Sequence, residues 1–282
     1  MSKTAIVVDS TAYIPQELVE KYNLYVIPLS VNWSGETMKD NVDITTDQFY
    51  ARLPQTSDIP TTSQPSAGEF VEIFTEAAKH ADAIVAVLIS NELSGTIASA
   101  KAAADMMDGF PIEIVDSQTT SMTQGFLALE AARAAEAGDK SHTEIADMVR
   151  DSIKRMNIVF VVDTLEFLHR GGRIGGASRF VGSLLSIKPV LTLANGLVTP
   201  LTKVRTKKKA IKHVLDMAEE SMAGKSNVRV AVLQASATAE AEKMKAEVIK
   251  RMNPVEIMIS EISPVIGTHV GPGTVGLAYT SD

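Results

Sequence analysis

Ala83-Ile84-Val85-Ala86-Val87-Leu88, then Ser90-Asn91-Glu92-Leu93-Ser94-Gly95-Thr96, then a helix-forming stretch over residues 97–107, is the passage that decides the fold. Six consecutive apolar residues without polar alternation predict a strand buried on both faces, and a polar loop running straight into a helix predicts a crossover to a parallel neighbour. The same rhythm stands on either side of it. Ala5-Ile6-Val7-Val8 precedes Asp9-Ser10-Thr11, a helix over 14–21 and a strand over 25–31. Ile112-Glu113-Ile114-Val115 precedes Asp116-Ser117 and a helix around 122–137. Strand, polar loop and helix in repetition predict βαβ units on a mostly parallel sheet.

The second half has a different character. Residues 158–162 are strand-like, and Pro189-Val190-Leu191-Thr192-Leu193 faces Leu197-Val198-Thr199 across Ala194-Asn195-Gly196. Asn-Gly between two apolar runs is the strongest short hairpin signal, so antiparallel pairing is expected here. Two further strands follow, over 228–233 and 255–259, with a helix over 238–251 between them and a loop to the C-terminus. The expected architecture is α/β in two lobes. Residues 1–160 form a mostly parallel lobe, and residues 161–282 form a lobe with a mixed or antiparallel sheet.

Composition narrows the function. Of the 282 residues 45% are apolar and 22% charged, which suits a folded soluble protein. Absence of cysteine removes disulfide frameworks, thiolate catalysis and cysteine-ligated zinc. The apolar run in Met1-Ser2-Lys3-Thr4-Ala5-Ile6-Val7-Val8 is too short for a signal-peptide core, and no stretch approaches a membrane span. A cytoplasmic protein is expected, with at most transient membrane contact, and the Asn32-Trp33-Ser34 triplet is read as chance. The net charge of −7 argues against nucleic acid as a partner.

Ligands of open α/β sheets bind at the carboxyl ends of strands, beside helix N-termini. Four loops there are rich in hydroxyls: Asp9-Ser10-Thr11, Thr61-Thr62-Ser63-Gln64, Ser94-Gly95-Thr96 and the run Asp116-Ser117-Gln118-Thr119-Thr120-Ser121. Any one of them is an ordinary helix start, because Ser, Thr and Asp are preferred N-caps. Four around one crevice would suit an anion bound without a metal. A glycine cluster, Leu168-His169-Arg170-Gly171-Gly172-Arg173-Ile174-Gly175-Gly176, reads as a helix C-cap that leaves Arg173 on a turn where it could meet a carboxylate or phosphate. His269 stands among glycines in Gly267-Thr268-His269-Val270-Gly271-Pro272-Gly273, read as a loop.

Several strings are decoys. Gly271-x-Gly273-x-x-Gly276 matches the dinucleotide fingerprint, but six residues remain after it, too few for the helix and second strand it needs. Gly224-Lys225-Ser226 resembles the end of a phosphate loop, but Glu219 holds the place of its first glycine. No Gly-x-Ser-x-Gly elbow occurs, and the five histidines show no HExxH spacing.

Taken together, Asp9-Ser10-Thr11, Thr62-Ser63-Gln64-Pro65-Ser66, Leu93-Ser94-Gly95-Thr96, the Gly-Gly-Arg-Ile segment at 171–174 and Ile266-Gly267-Thr268-His269-Val270-Gly271-Pro272-Gly273 resemble the DegV family. That family includes the fatty-acid-binding subunits of bacterial fatty acid kinase. The resemblance covers essentially the whole chain and implies two α/β lobes with a long-chain fatty acid such as palmitate at their junction, no cofactor and no metal. It implies that Thr62 and Ser94 bind the carboxylate, with His269 and Arg173 beside the head group. Ser63, Gly95, Thr96, Ser117 and Thr268 are further candidate contacts. It also implies presentation of the carboxylate to a partner kinase that forms acyl phosphate for phospholipid synthesis. Arg205 matches the family's docking arginine, and Lys203, Lys207 and Lys208 extend it into a basic surface with Lys209 and Lys212. Relatives often carry serine as the second residue after Gly-Gly-Arg-Ile, where this chain has Gly175-Gly176-Ala177 before Ser178.

Physical chemistry fits that expectation. A sixteen-carbon chain has about 14 methylenes, whose burial contributes on the order of 11 kcal/mol before ordering costs. Affinity therefore needs no catalysis, but the carboxylate must be hydrogen-bonded or its desolvation costs several kcal/mol. The twelve methionines are read as core filler rather than tunnel lining. The alternative expectation is an acyl-transfer or hydrolytic enzyme with Ser94 as nucleophile and His269 as base. It is disfavoured by the missing elbow motif and by the want of an acidic orienter for His269.

Overall fold

The computed structural model describes residues 3–183 and 187–282. From the N-terminus the chain runs through β1 (Thr4–Asp9), α1 (Gln16–Lys21), β2 (Tyr25–Ile27), β3 (Ser30–Trp33), β4 (Glu36–Lys39), α2 (Thr46–Arg52) and β5 (Thr61–Ser63). Next come α3 (Ala67–Ala78), β6 (Ala83–Leu88), α4 (Thr96–Asp105), β7 (Ile112–Asp116), α5 (Ser121–Ala137) and α6 (His142–Ser152). The remainder is β8 (Asn157–Val161), α7 (Glu166–Arg170), β9 (Lys188–Ala194), β10 (Leu197–Val204), α8 (Lys207–Met222), β11 (Arg229–Gln234), α9 (Thr238–Met252), β12 (Glu256–Glu261), α10 (Pro264–Val270) and β13 (Val275–Thr280).

The chain packs as two compact units, Met1–Ser30 with Thr62–Lys154, and Val31–Thr61 with Arg155–Asp282. A single cut near residue 160 therefore describes the chain incompletely. Residues 31–61 join the second unit, carrying β4, α2 and most of β3. The strand expected over 25–31 is correspondingly two strands. Pro28 breaks it, since proline has no N–H for the ladder, and β2 and β3 lie in different sheets.

The first unit is the expected parallel sheet, in the order β2-β1-β6-β7, with β1 and β6 in register from Thr4 opposite Ala83 to Val8 opposite Val87. Every residue of β1 and β6 is buried. Ala5, Val7, Ile84, Ala86 and Leu88 pack on one side against Phe70, Phe74, Ile97 and Ala100. Helix α3 starts where Ser66 and Glu69 make a capping box, which satisfies two N-terminal donors reciprocally.

The second unit's large sheet runs β10-β9-β8-β13-β11-β12 and is antiparallel except for β11 beside β12. The hairpin of β9 and β10 turns at Asn195 and Gly196, both at positive φ, as a two-residue type I′ turn requires. Strand β13 replaces the expected C-terminal loop. It is buried along its whole length, between β8 and β11. Gly276 disguises it by weakening the strand pattern, yet a Cβ there would stand 2.7 Å from Phe160 Cβ. Among the described residues no helix is long and apolar enough to cross a membrane.

Candidate functional site

In the first unit, one carboxylate organises the strand ends. Asp9, at the end of β1 and fully buried, accepts from Thr11 N (3.0 Å), Thr11 Oγ1 (2.5 Å), Ile89 N (2.7 Å) and Gln124 Nε2 (2.9 Å). Gln124 also donates to Val87 O, and Thr11 Oγ1 lies 3.0 Å from Gln124 Oε1. Burial pushes the Asp9 carboxyl up from its ordinary value, against the pull of these donors. Four bonds saturate the carboxylate and tie β1, the exit of β6 and the first turns of α5 together. Sequence reasoning noted Asp9 as a loop residue and missed this role.

From that anchor the Ser94 loop is built by short bonds. Ser90 N donates to Thr119 O (2.8 Å), and Ser94 N donates to Ser90 O (3.1 Å). Ser94 Oγ and Thr96 Oγ1 lie 2.9 Å apart in a hydrogen bond that either hydroxyl can donate. Gly95 brings a second expected motif close, because a Cβ there would stand 2.8 Å from Gln64 Nε2. The Thr62-Ser63-Gln64 segment and the Ser94-Gly95-Thr96 turn thus meet in one unit, with Thr62 and Ser63 half-buried on β5.

The third hydroxyl loop is mostly spent on itself. Ser117 Oγ donates to Thr119 O (3.1 Å), Thr119 Oγ1 and Thr123 Oγ1 lie 2.6 Å apart, and Thr123 Oγ1 is 2.6 Å from Thr120 O. Thr120 Oγ1 and Ser121 Oγ are the exception, buried and without a hydrogen-bond partner among the described residues. Ser121 also begins α5 at φ +60°. Strain and unpaired hydroxyls at one helix start mark a place where a polar ligand atom could be received.

In the second unit the two glycine motifs interlock. Helix α7 ends in Gly171 and Gly172, as expected of a C-cap. His269 does not lie in a loop: it sits in the last turn of α10, 8% exposed, and its ring occupies the space a side chain at Gly171 would take. Gly271, at φ +75°, makes the same room for the Phe167 ring. Arg173 is exposed and donates to Gly171 O (2.8 Å). Thr268 Oγ1 is spent on Pro264 O within α10 (2.9 Å). Burial, and after it the positive charge of Arg173, lowers His269 to about 4, so its imidazole is neutral at pH 7. It offers a hydrogen bond rather than a counter-charge, and the charge acting on it is a cation, not a carboxylate.

Residues far away in sequence hold α10 in place. Ser263 has no capping bond to its own helix; it donates instead to Asp40 Oδ2 (2.7 Å), while Val265 N reaches Asp40 Oδ1 (3.4 Å). Tyr50 donates to Ile262 O (3.0 Å), and burial raises its phenol far above the usual value. A Cβ at Gly267 would fall 2.5 Å from Tyr50 Oη.

Within the basic segment Lys207 is already engaged inside its own unit. Its ammonium donates to Gly273 O (2.6 Å) and pairs with Asp163 (3.4 Å), which also binds Lys188 (3.1 Å). Lys203, Arg205, Lys208 and Lys209 are exposed, and Lys212 pairs with Asp216. Among the described residues no group of three or more His, Asp or Glu side chains is placed to hold a metal ion.

A family model described as "Uncharacterised protein, DegV family COG1307" matches residues 3–282. Among solved structures, a fatty-acid-binding protein of that family from Thermus thermophilus is 35% identical with a TM-score of 0.94, covering all of both chains. DegV of Bacillus subtilis, a fatty acid binding protein, is 36% identical with a TM-score of 0.93, again over all of both chains. A stearic-acid-binding protein from Eubacterium ventriosum is 28% identical with a TM-score of 0.91, covering 100% of this chain and 98% of that one.

Proposed function

The chain belongs to the DegV family, and on that premise we propose that it binds one long-chain fatty acid in the cytoplasm and presents the carboxylate to a partner kinase for acyl phosphate formation. What carries the binding step is full-length similarity to fatty-acid-binding structures together with the meeting of the Thr62 and Ser94 segments at Gly95. Thr62 and Ser94 are assigned to the carboxylate, which two hydroxyls can hold without a metal. Thr120 and Ser121 are added to the candidates on account of their unpaired, buried hydroxyls.

Arg173 and His269 are assigned to the head group by the resemblance. In this assignment Arg173 supplies the charge and His269, neutral at pH 7, a hydrogen bond. Kinase docking is assigned to Arg205 with Lys203 and Lys208, which are exposed on a chain whose net charge is −7. Such local reversal of sign favours steered encounter.

Native mass spectrometry of protein purified from bacteria tests the binding step. One stoichiometric fatty acid is expected on the wild type, with loss of most of it in a folded Thr62→Ala/Ser94→Ala double variant. Full lipid retention by that variant would overturn the carboxylate assignment.

A further inference from the structure

A concavity lies in the first unit, at the end of the strands opposite the hydroxyl loops. It is a cleft of about 600 Å³, within the range of small-molecule sites. The start of β1, the start of β2, the end of α1 and the last turns of α5 enclose it. Its floor is apolar, from Ala5 and Ile6 on β1 to Ala132 and Ala135 on α5. Tyr22 and Tyr25 add aromatic walls, which can stack on a flat ligand.

The charged groups at this cleft are mostly of one sign. Lys3 and Lys21 line it, with the imidazole of His80 beside them, against Glu136 alone. His80 is shared with Glu76 at 3.8 Å, but neither ammonium group of Lys3 and Lys21 forms an ion pair among the described residues. Lys21 Nζ stands 4.8 Å from the Tyr22 ring centre, and Arg133 Nε donates to Tyr22 Oη (3.4 Å). Arg133, and after it Lys21, hold the Tyr22 phenol below its ordinary value. Thr4 Oγ1 is buried in the same wall without a hydrogen-bond partner among the described residues. The ordinary reason for a lysine at the end of α1 is the helix dipole. That accounts for Lys21, but not for Lys3, which precedes a strand, nor for an aromatic-walled apolar floor beneath both.

We propose that this cleft binds a small organic anion with a flat, largely apolar body, the anionic group meeting Lys3 and Lys21 and the body lying on the alanine floor between the tyrosines. The site is independent of the fatty-acid reading, since it lies at the amino ends of the strands, away from the hydroxyl loops.

The test uses full-length protein, as purified and again with excess palmitate. The probe is 8-anilinonaphthalene-1-sulfonate, with uncharged N-phenyl-1-naphthylamine as its neutral counterpart. Saturable binding of the sulfonate is expected, unchanged by palmitate, and at least tenfold tighter than that of the neutral probe. Lys21→Glu, which reverses the charge, and Ala135→Leu, which fills the floor on a helix that tolerates leucine, should each weaken it at least tenfold while leaving circular dichroism and bound lipid unchanged. Displacement by palmitate would place the probe in an acyl site and overturn the proposal. So would equal binding of the neutral probe, absence of saturable binding, or indifference to both substitutions.

Discussion

His269 makes the site measurable through pH. Its pKa is lowered from 6.5 to about 4, chiefly by burial and then by Arg173, so between those values the unfolded chain binds a proton that the folded chain does not. Stability tied to His269 is therefore full above pH 6.5 and is lost as pH falls toward 4. With a folded value near 4 and an unfolded value near 6.5, acidification from pH 7 to pH 4.5 removes about 2 kcal/mol through this one group. Other titrating groups act over the same interval, so the comparison must be with a chain that differs only here. His269→Gln keeps a hydrogen-bonding side chain of similar reach and cannot titrate. Urea unfolding of both proteins at the two pH values should show the wild type losing about 2 kcal/mol more than the variant. The imidazole signal followed by NMR should remain that of a neutral ring down to about pH 5, one unit above its pKa. In protein loaded with a fatty acid, a carboxylate near the ring would favour its charged form and move the titration upward. Equal acid losses in the two proteins, or a ring titrating near its ordinary value in lipid-free protein, would refute the reasoning.

Two further outcomes follow from buried networks. Asp9→Asn replaces an acceptor of four bonds by an amide that can accept at one oxygen only, stranding at least one donor such as Thr11 N; about 2–3 kcal/mol of destabilisation in urea is expected at pH 7. Because burial raises the wild-type Asp9 carboxyl, folded wild type holds that proton more tightly than unfolded, and the cost of Asp9→Asn should shrink as pH rises from 4 to 7. Lys207→Ala and Arg205→Ala should separate structure from docking. The former loses stability by leaving Asp163 and Gly273 O underpaired, and the latter leaves unfolding unchanged but, on the proposed function, lowers acyl phosphate formation by a partner kinase.

What could be read in the sequence was what local pattern encodes. The strand, loop and helix rhythm around Ala83 to Thr96 yields the parallel sheet, and Asn195-Gly196 yields the hairpin, because period and turn chemistry act within a few residues. Apart from the strand that Pro28 breaks, the failures come from pairing across long separations. Asp40 and Ser263 are 223 residues apart, so nothing near His269 announces that its helix is capped from the segment 31–61. Lys207 sits in a run of lysines with the look of a solvated face, and only the fold brings Asp163 and Gly273 to it from 44 and 66 residues away. Strand β13 was hidden for a related reason, since Gly276, its second residue, is dictated by the neighbouring Phe160 and not by its own segment.

The donor chemistry bears on why a carrier would hold a carboxylate in this way. A guanidinium or metal clamped on both oxygens would bind the anion tightly and withdraw the electron density that an oxygen needs to attack a phosphoryl group. Hydroxyl donors do less of this. A hydroxyl donates to the carboxylate without bringing a positive charge to it, and in a pair such as Ser94 Oγ and Thr96 Oγ1 the hydroxyl that accepts keeps its own proton for a ligand. Within the glycine-motif cluster the charges are already engaged. Lys188 and Lys207 are bound to Asp163, His269 is kept neutral by its surroundings, and Arg173, though exposed, donates to Gly171 O. In the proposed carrier, affinity comes from methylene burial while the head group is held only firmly enough to be oriented. Arg173→Lys, which keeps the charge but loses the planar fork, should then be nearly neutral for lipid retention.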